Sequence, residues 1–180
     1  MAETTIESPM SEVTLVKPEI TFRLFRPSDA NAFRELNEAW ISRYFTLEEQ
    51  DRIQLGDPEG YILRPGGQIA MAVAGEERIG CCALIFMKPG VFEVAKMAVL
   101  EHYRGQGIGR RLLEYAIAQA KLLGAHTLEL ASNSNLANAV HLYEALGFRH
   151  LPPERLEPSS YRRANVFMEL HLSSQGRFHA

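Results

Sequence analysis

The sequence predicts the α/β class in its mixed α+β-sheet form: one central twisted mixed sheet flanked by helices on both faces. Three observations lead there. Residues 68–100 fall into three successive strand-like runs separated by hairpin signals. Beyond them, two stretches with apolar residues at helical spacing, each closed by a glycine, alternate with further strand-like runs. The resulting order, β-α-α-β-β-β-α-β-α-β-β, is neither an all-β succession nor a plain βα repeat.

Taken from the N-terminus, residues 1–17 carry Thr, Ser, Glu and Pro with little periodicity and read as a mobile leader. Residues 1–18 are therefore set apart from a single domain over 19–172, with a flexible tail over 173–180. Residues 20–25 fit a first strand. Ser28 is placed to cap a helix reaching Tyr44, with Ala32, Phe33, Leu36, Trp40 and Ile41 on one face. Thr46 and Glu49 have capping-box spacing and predict a second short helix. Residues 57–60 and 65–67 mark turns. Residues 68–74, 78–87 and 91–100 are the three strands. A long helix over 107–123 ends at Gly124, with Arg110 and Glu114 as an exposed i, i+4 pair. A strand over 127–131, a helix over 136–146 closed by Gly147, a strand over 148–151, a Pro-rich loop over 152–158 and a last strand over 165–172 complete the order.

Composition narrows the function classes. A net charge of −3 gives no ground for nucleic acid as a partner. There is no secretory n- and h-region and no apolar run long enough to cross a bilayer, so no membrane is expected. Cys81 and Cys82 are adjacent in an apolar strand, which suits buried thiols in a reducing compartment better than a disulfide; the cytoplasm follows. The histidines show no metal-ligand spacing, so no metal is expected. A homodimer stays open.

The junction of the third strand with the long helix carries the functional signal. Gly105, Gly107 and Gly109 alternate through Arg104-Gly105-Gln106-Gly107-Ile108-Gly109. They let the backbone approach a ligand closely, and the first-turn N–H groups of the helix have no intrahelical partners. Such a turn binds a phosphate or pyrophosphate, with Arg104, Arg110 and Arg111 adding positive charge. A plain strand-to-helix turn is the competing reading. A dinucleotide fingerprint would need glycine where Arg110 stands, and a P-loop would need a following Gly-Lys-Ser/Thr, which is missing.

Two stretches are similar to a known family. Glu93 to Val99, followed by Tyr103 to Gly109, resembles the acetyl-CoA motif of the GNAT superfamily of N-acetyltransferases, Arg/Gln-x-x-Gly-x-Gly/Ala, through Arg104, Gly107 and Gly109. Asn138 to Phe148 is similar to the superfamily's Asn- and Ala-bearing helix ending in Leu-Tyr-x-x-x-Gly-Phe. The order and spacing of the two motifs match, over roughly residues 20–172 and only loosely in the first third. The run from Tyr161 to Met168 is also similar to a bacterial subgroup, some of whose members carry a fused MarR-type regulator.

The resemblance implies the GNAT acyl-CoA N-acyltransferase fold and acetyl transfer from acetyl-CoA to a primary amine of a small molecule or peptide. It implies pantetheine against the backbone of Met97, Ala98 and Val99. The pyrophosphate would sit on Arg104, Gly105, Gln106, Gly107, Ile108, Gly109 and Arg110. A tyrosine like Tyr143, at helical spacing among apolar residues, is ordinarily core; the resemblance instead implies a general acid for the departing thiolate. A glutamate like Glu93, in an alternating strand, ordinarily faces solvent or pairs with a cation; the resemblance implies a base, with Glu48 or Glu49 as substitutes. Lys96 reads as a solvated strand residue. Asn133 and Asn138 either bond the pantetheine arm or, respectively, close a turn and face water. Trp40, Tyr44, Phe45, Tyr161 and Arg163 are candidates for the acceptor wall. The rival function is a non-catalytic acyl-CoA-binding sensor.

Overall fold

The computed structural model describes residues 18–156 and 161–172; the expected tail and all of the leader but Pro18 lie outside them. Seven strands form one sheet in the order β1-β2-β3-β4-β5-β7-β6. They are β1 (Ile20–Leu24), β2 (Gln68–Ala74), β3 (Glu77–Lys88), β4 (Val91–Val99), β5 (Thr127–Ser132), β6 (Arg149–His150) and β7 (Val166–His171). The helices are α1 (Ala30–Tyr44), α2 (Glu49–Gly56), α3 (Ile108–Leu122) and α4 (Ala137–Ala145).

Both faces of the sheet are covered, because β2 and β3 are apolar on both sides. Ala70, Ala72 and Ala74 face α3 with Leu112, Leu113 and Ala116. Ile69, Met71 and Val73 face the other way, onto Phe33, Leu36 and Ile41 of α1 and Leu55 of α2. This period-2 split between two cores produces the predicted three-layer arrangement.

Two predicted helix starts are corrected. Ser28 is exposed within a 3-10 turn over Pro27–Asp29. Asp29 is the N-cap residue of α1 without a side-chain cap bond; its carboxylate instead closes the 3-10 turn by accepting the Arg26 N–H at 2.8 Å, buried against Arg23 and Arg78. In α2 the box is Glu48 with Asp51, where the Asp51 carboxylate accepts the Glu48 N–H at 3.0 Å, not Thr46 with Glu49. Spacing alone cannot choose between two overlapping boxes; tertiary partners for Asp51 do. The turn over 57–60 runs on into a single π-helical turn, Glu59–Leu63, that buries Ile62.

Every strand pairing is antiparallel except β4 with β5. That parallel pairing lasts only from Val91 opposite Thr127 to Glu93 opposite Glu129. Beyond Glu93 the two strands part. The facing backbone groups of β4 lose their ladder partners, and a buried backbone group without a partner is costly, so the gap is built for something that hydrogen-bonds.

Candidate active site

A cavity of about 480 Å³ occupies this gap, within the usual range for a small-molecule site. Its floor is β4 from Glu93 to Val99, one wall is Ala131 to Asn133 with α4, and the other is the end of α1 with Tyr161 and Arg163. Arg104 and Gly105 close one end.

The glycine turn has the geometry the sequence suggests. Gly105 and Gly107 adopt φ of +75° and +74°, where an L side chain is strained, and a Cβ at either would meet open space. Gly107 precedes the first residue of α3, so the helix presents its first-turn N–H groups on a bare surface. The cationic surroundings are more committed than expected. Arg104 Nε donates to the Val99 carbonyl at 2.9 Å, Arg110 pairs with Glu114, and Arg111 lies over the Phe22 ring. Ile108 is buried in the core, so only its backbone can contribute.

On β4, one extra residue interrupts the pairing with β3: Ala95 opposes Ala83, whereas Ala98 opposes Cys81. This bulge turns Lys96 into the left-handed region at φ 50°, a conformation that costs a non-glycine residue roughly 1–2 kcal/mol. Lys96 is not solvated as predicted; its side chain is 4% exposed. Its ammonium donates to Asp51 at 2.8 Å and to the Tyr161 hydroxyl at 2.7 Å. Arg163 grips the same Asp51 carboxylate with two bonds, at 2.6 and 2.8 Å, and reaches Glu48 at 3.2 Å. The Tyr161 ring lies against both cations, with Lys96 and Arg163 each 4.6 Å from its centroid. Burial works to raise the Asp51 carboxyl, but Arg163 and Lys96 outweigh it and hold it at about 2. Burial, helped by the neighbouring Arg163 cation, pushes Lys96 below the ordinary lysine value, against the pull of Asp51 and Glu93.

Glu93 lines the cavity at the point where β4 and β5 part. Burial raises its carboxyl above the ordinary value; Lys96 opposes that rise and Glu129 adds to it. Tyr143 lines the opposite wall from α4, with its ring edge-on to Phe148 at 5.9 Å, and burial pushes its hydroxyl up. Met97, Ala98 and Val99 line the floor between them.

The remaining candidates divide. Trp40, Phe45, Tyr161 and Arg163 reach the cavity, but Tyr44 does not: it is 46% exposed, its ring tilted against that of Trp40. Asn133 closes a turn, accepting the Asn135 N–H at 2.8 Å and donating to the Arg163 carbonyl. Asn138 is exposed at the rim. Glu48 and Glu49 lie off the cavity lining, and Glu48 is engaged by Arg163. Asp51, Lys96 and Asn37 are the site residues that the sequence reading missed. Asn37 is buried and donates to Cys81 Sγ at 3.2 Å. The thiols are buried, and burial pushes Cys81 up to about 12, which leaves it inert near neutral pH. Among the described residues, no cluster of three or more His, Cys, Asp or Glu could hold a metal ion, and no helix is long and apolar enough to cross a membrane.

Comparison with known proteins bears on this geometry. A sequence profile of the Acetyltransferase (GNAT) family matches residues 30–148. An uncharacterized N-acetyltransferase of Bacillus subtilis (strain 168), YvbK, is 34% identical over 107 residues, covering 57% of this chain and 68% of the relative. A GNAT-family acetyltransferase of Staphylococcus aureus Mu50 superposes with a TM-score of 0.78 at 22% identity, covering 86% of this chain and all of that one (100%). A Bacillus subtilis acetyltransferase solved in complex with CoA gives a TM-score of 0.65 at 21% identity over 86% of this chain and 100% of its own.

Proposed function

The chain belongs to the Acetyltransferase (GNAT) family, and from that premise we propose a direct transfer in the cleft between β4 and β5. The protein is an acetyl-CoA-dependent N-acetyltransferase that acts on an amine. The observation that carries the reading is the parting of β4 from β5 at Glu93, followed beyond the end of β4 by a strand-to-helix turn where Gly105 and Gly107 leave the backbone bare. A cofactor with a pyrophosphate and an extended amide-bearing arm suits both features. The turn offers unobstructed N–H groups, and the edge of β4 offers backbone groups without a ladder.

When bound, acetyl-CoA supplies the thioester acyl group. The residues of the chain divide the rest. Met97, Ala98 and Val99 line the cavity, and their backbone N–H groups polarise the carbonyl of a thioester bound there. Glu93 takes the proton that the acceptor ammonium must lose before its nitrogen can attack, and its raised carboxyl suits a base that must also release that proton. The new bond joins the amine nitrogen to the acyl carbon while the carbon–sulfur bond breaks. Tyr143, kept protonated by burial, gives its proton to the leaving sulfur, and the second proton shed by the acylated nitrogen restores it through solvent. Trp40 and Phe45 present an apolar entrance for a small-molecule or peptide amine. The catalytic unit is assigned to residues 19–172, in the cytoplasm.

An amine-library screen with acetyl-CoA, reading free thiol and acetylated amine, tests this. Equal amounts of both for some amine, lost in Glu93→Gln and Tyr143→Phe, support the reading. Binding of acetyl-CoA without turnover for any amine would make the protein a sensor instead.

A further inference from the structure

Regular alternation along β4 would carry residue 96 to the face opposite Glu93. The bulge prevents this. Cys81, Ala83 and Ala98 all belong to the core beneath α1 and α2, and Ile85, which opposes Glu93, packs on the same core. Three steps on β4, from Ala95 to Ala98, therefore match two on β3, from Ala83 to Cys81, and the extra residue brings Lys96 round to the Glu93 side. There α2 receives it, with Asp51 2.8 Å away.

The surroundings of Glu93 show what this achieves. From β3 it meets Ile85, and α1 contributes only Asn37, Trp40 and Ile41 to the same cavity. From β5 it meets Glu129, beside which lies Glu169 of β7, itself paired with Arg155 and His171. The charged and titratable groups on its other side are Lys96, Asp51, Tyr161 and Arg163. Asp51 is shared between Lys96 and a bidentate Arg163, so it does not fully cancel the lysine's charge toward Glu93.

We propose that Lys96 is a positioning residue for the transfer: the bulge delivers its ammonium to the acceptor face and Asp51 holds it there, so that Glu93 meets the amine as a carboxylate. This rests on the reading of Glu93 as the base. Without the lysine, burial and Glu129 would both favour a protonated carboxyl, which cannot accept a proton.

The test uses the full chain labelled with ¹³C-glutamate, with no ligand added. The Glu93 carboxyl resonance is assigned by its loss in Glu93→Gln and titrated in the unaltered protein, in Lys96→Met and in Lys96→Arg. The expected midpoint rises by about one pH unit in Lys96→Met and returns in Lys96→Arg. Lys96→Gln, which keeps hydrogen bonds without the charge, carries the same expectation if the methionine variant does not fold. An unchanged midpoint in a folded, uncharged variant overturns the role of Lys96 and leaves the base assignment standing. Full amine turnover by Glu93→Gln would overturn the base assignment instead, whatever the titration shows.

Discussion

Glu93 and Glu129 lie side by side across the parallel pairing of β4 and β5, the last pair in register before the strands part. Adjacent strands lie about 4.8 Å apart, so the charge of Glu129 favours the neutral form of Glu93. The effect adds to burial, which is the larger cause of the raised Glu93 carboxyl. Glu129→Gln is therefore expected to lower the Glu93 value. The acid limb of kcat/KM, where activity falls because the base is protonated, should move to lower pH. A pH–rate profile of the variant with any acceptor found in the amine screen checks this.

Tyr143 reaches the cavity from α4 and also packs against the core, including Phe148. Removing its hydroxyl leaves those contacts in place. Tyr143→Phe should lower kcat by roughly 10²-fold while the affinity for acetyl-CoA and the melting temperature stay near their original values. Steady-state kinetics paired with a thermal melt separates this outcome from a packing defect.

Asp51 links stability to pH. Its folded value of about 2 lies below the ordinary 3.8, so ionisation favours the native state. That contribution is complete above 3.8 and is lost as pH falls toward about 2. Asp51→Asn should destabilise the protein at neutral pH and flatten the loss of stability through that acid window. A residual slope should remain from Asp29, which is also held at about 2 after Arg23, Arg78 and the Arg26 N–H outweigh its burial. Denaturant unfolding at several pH values measures it.

Gly107 has φ of +74° and open space where a Cβ would stand. Alanine there clashes with nothing in the protein, so its cost is backbone strain of about 1 kcal/mol. The added methyl does project from the bare surface offered to the pyrophosphate. Gly107→Ala should thus weaken acetyl-CoA binding by more than its stability loss explains, as read by calorimetry beside an unfolding curve.

Much of this was legible in the sequence because it is periodic or local. The α3 face of Ile108, Leu112 and Ala116 and the caps at Gly124 and Gly147 are written at fixed spacings, and the structure follows them. Glu93 and Tyr143 stand at motif positions readable in the sequence, and both line one cavity. The bulge was not legible. Val-Phe-Glu-Val-Ala-Lys-Met-Ala-Val alternates well enough to look like an uninterrupted strand, and a lysine in it looks solvated. What buries Lys96 is a carboxylate 45 residues earlier in the chain and a tyrosine hydroxyl 65 residues later. Asp51 in turn sits in a short helix whose start the Thr46–Glu49 spacing misplaced. The one available signal was an aspartate four residues before Leu55, on the side of α2 that meets the core.

The most direct test of the account follows the backbone amides by NMR while acetyl-CoA is added to the full chain. The largest shifts should fall at Gly105, Gly107 and Gly109, where the pyrophosphate meets the turn, and at Met97 to Val99 along the open edge of β4. Saturating acetyl-CoA that leaves those amides unmoved, or that shifts a different surface, would contradict it.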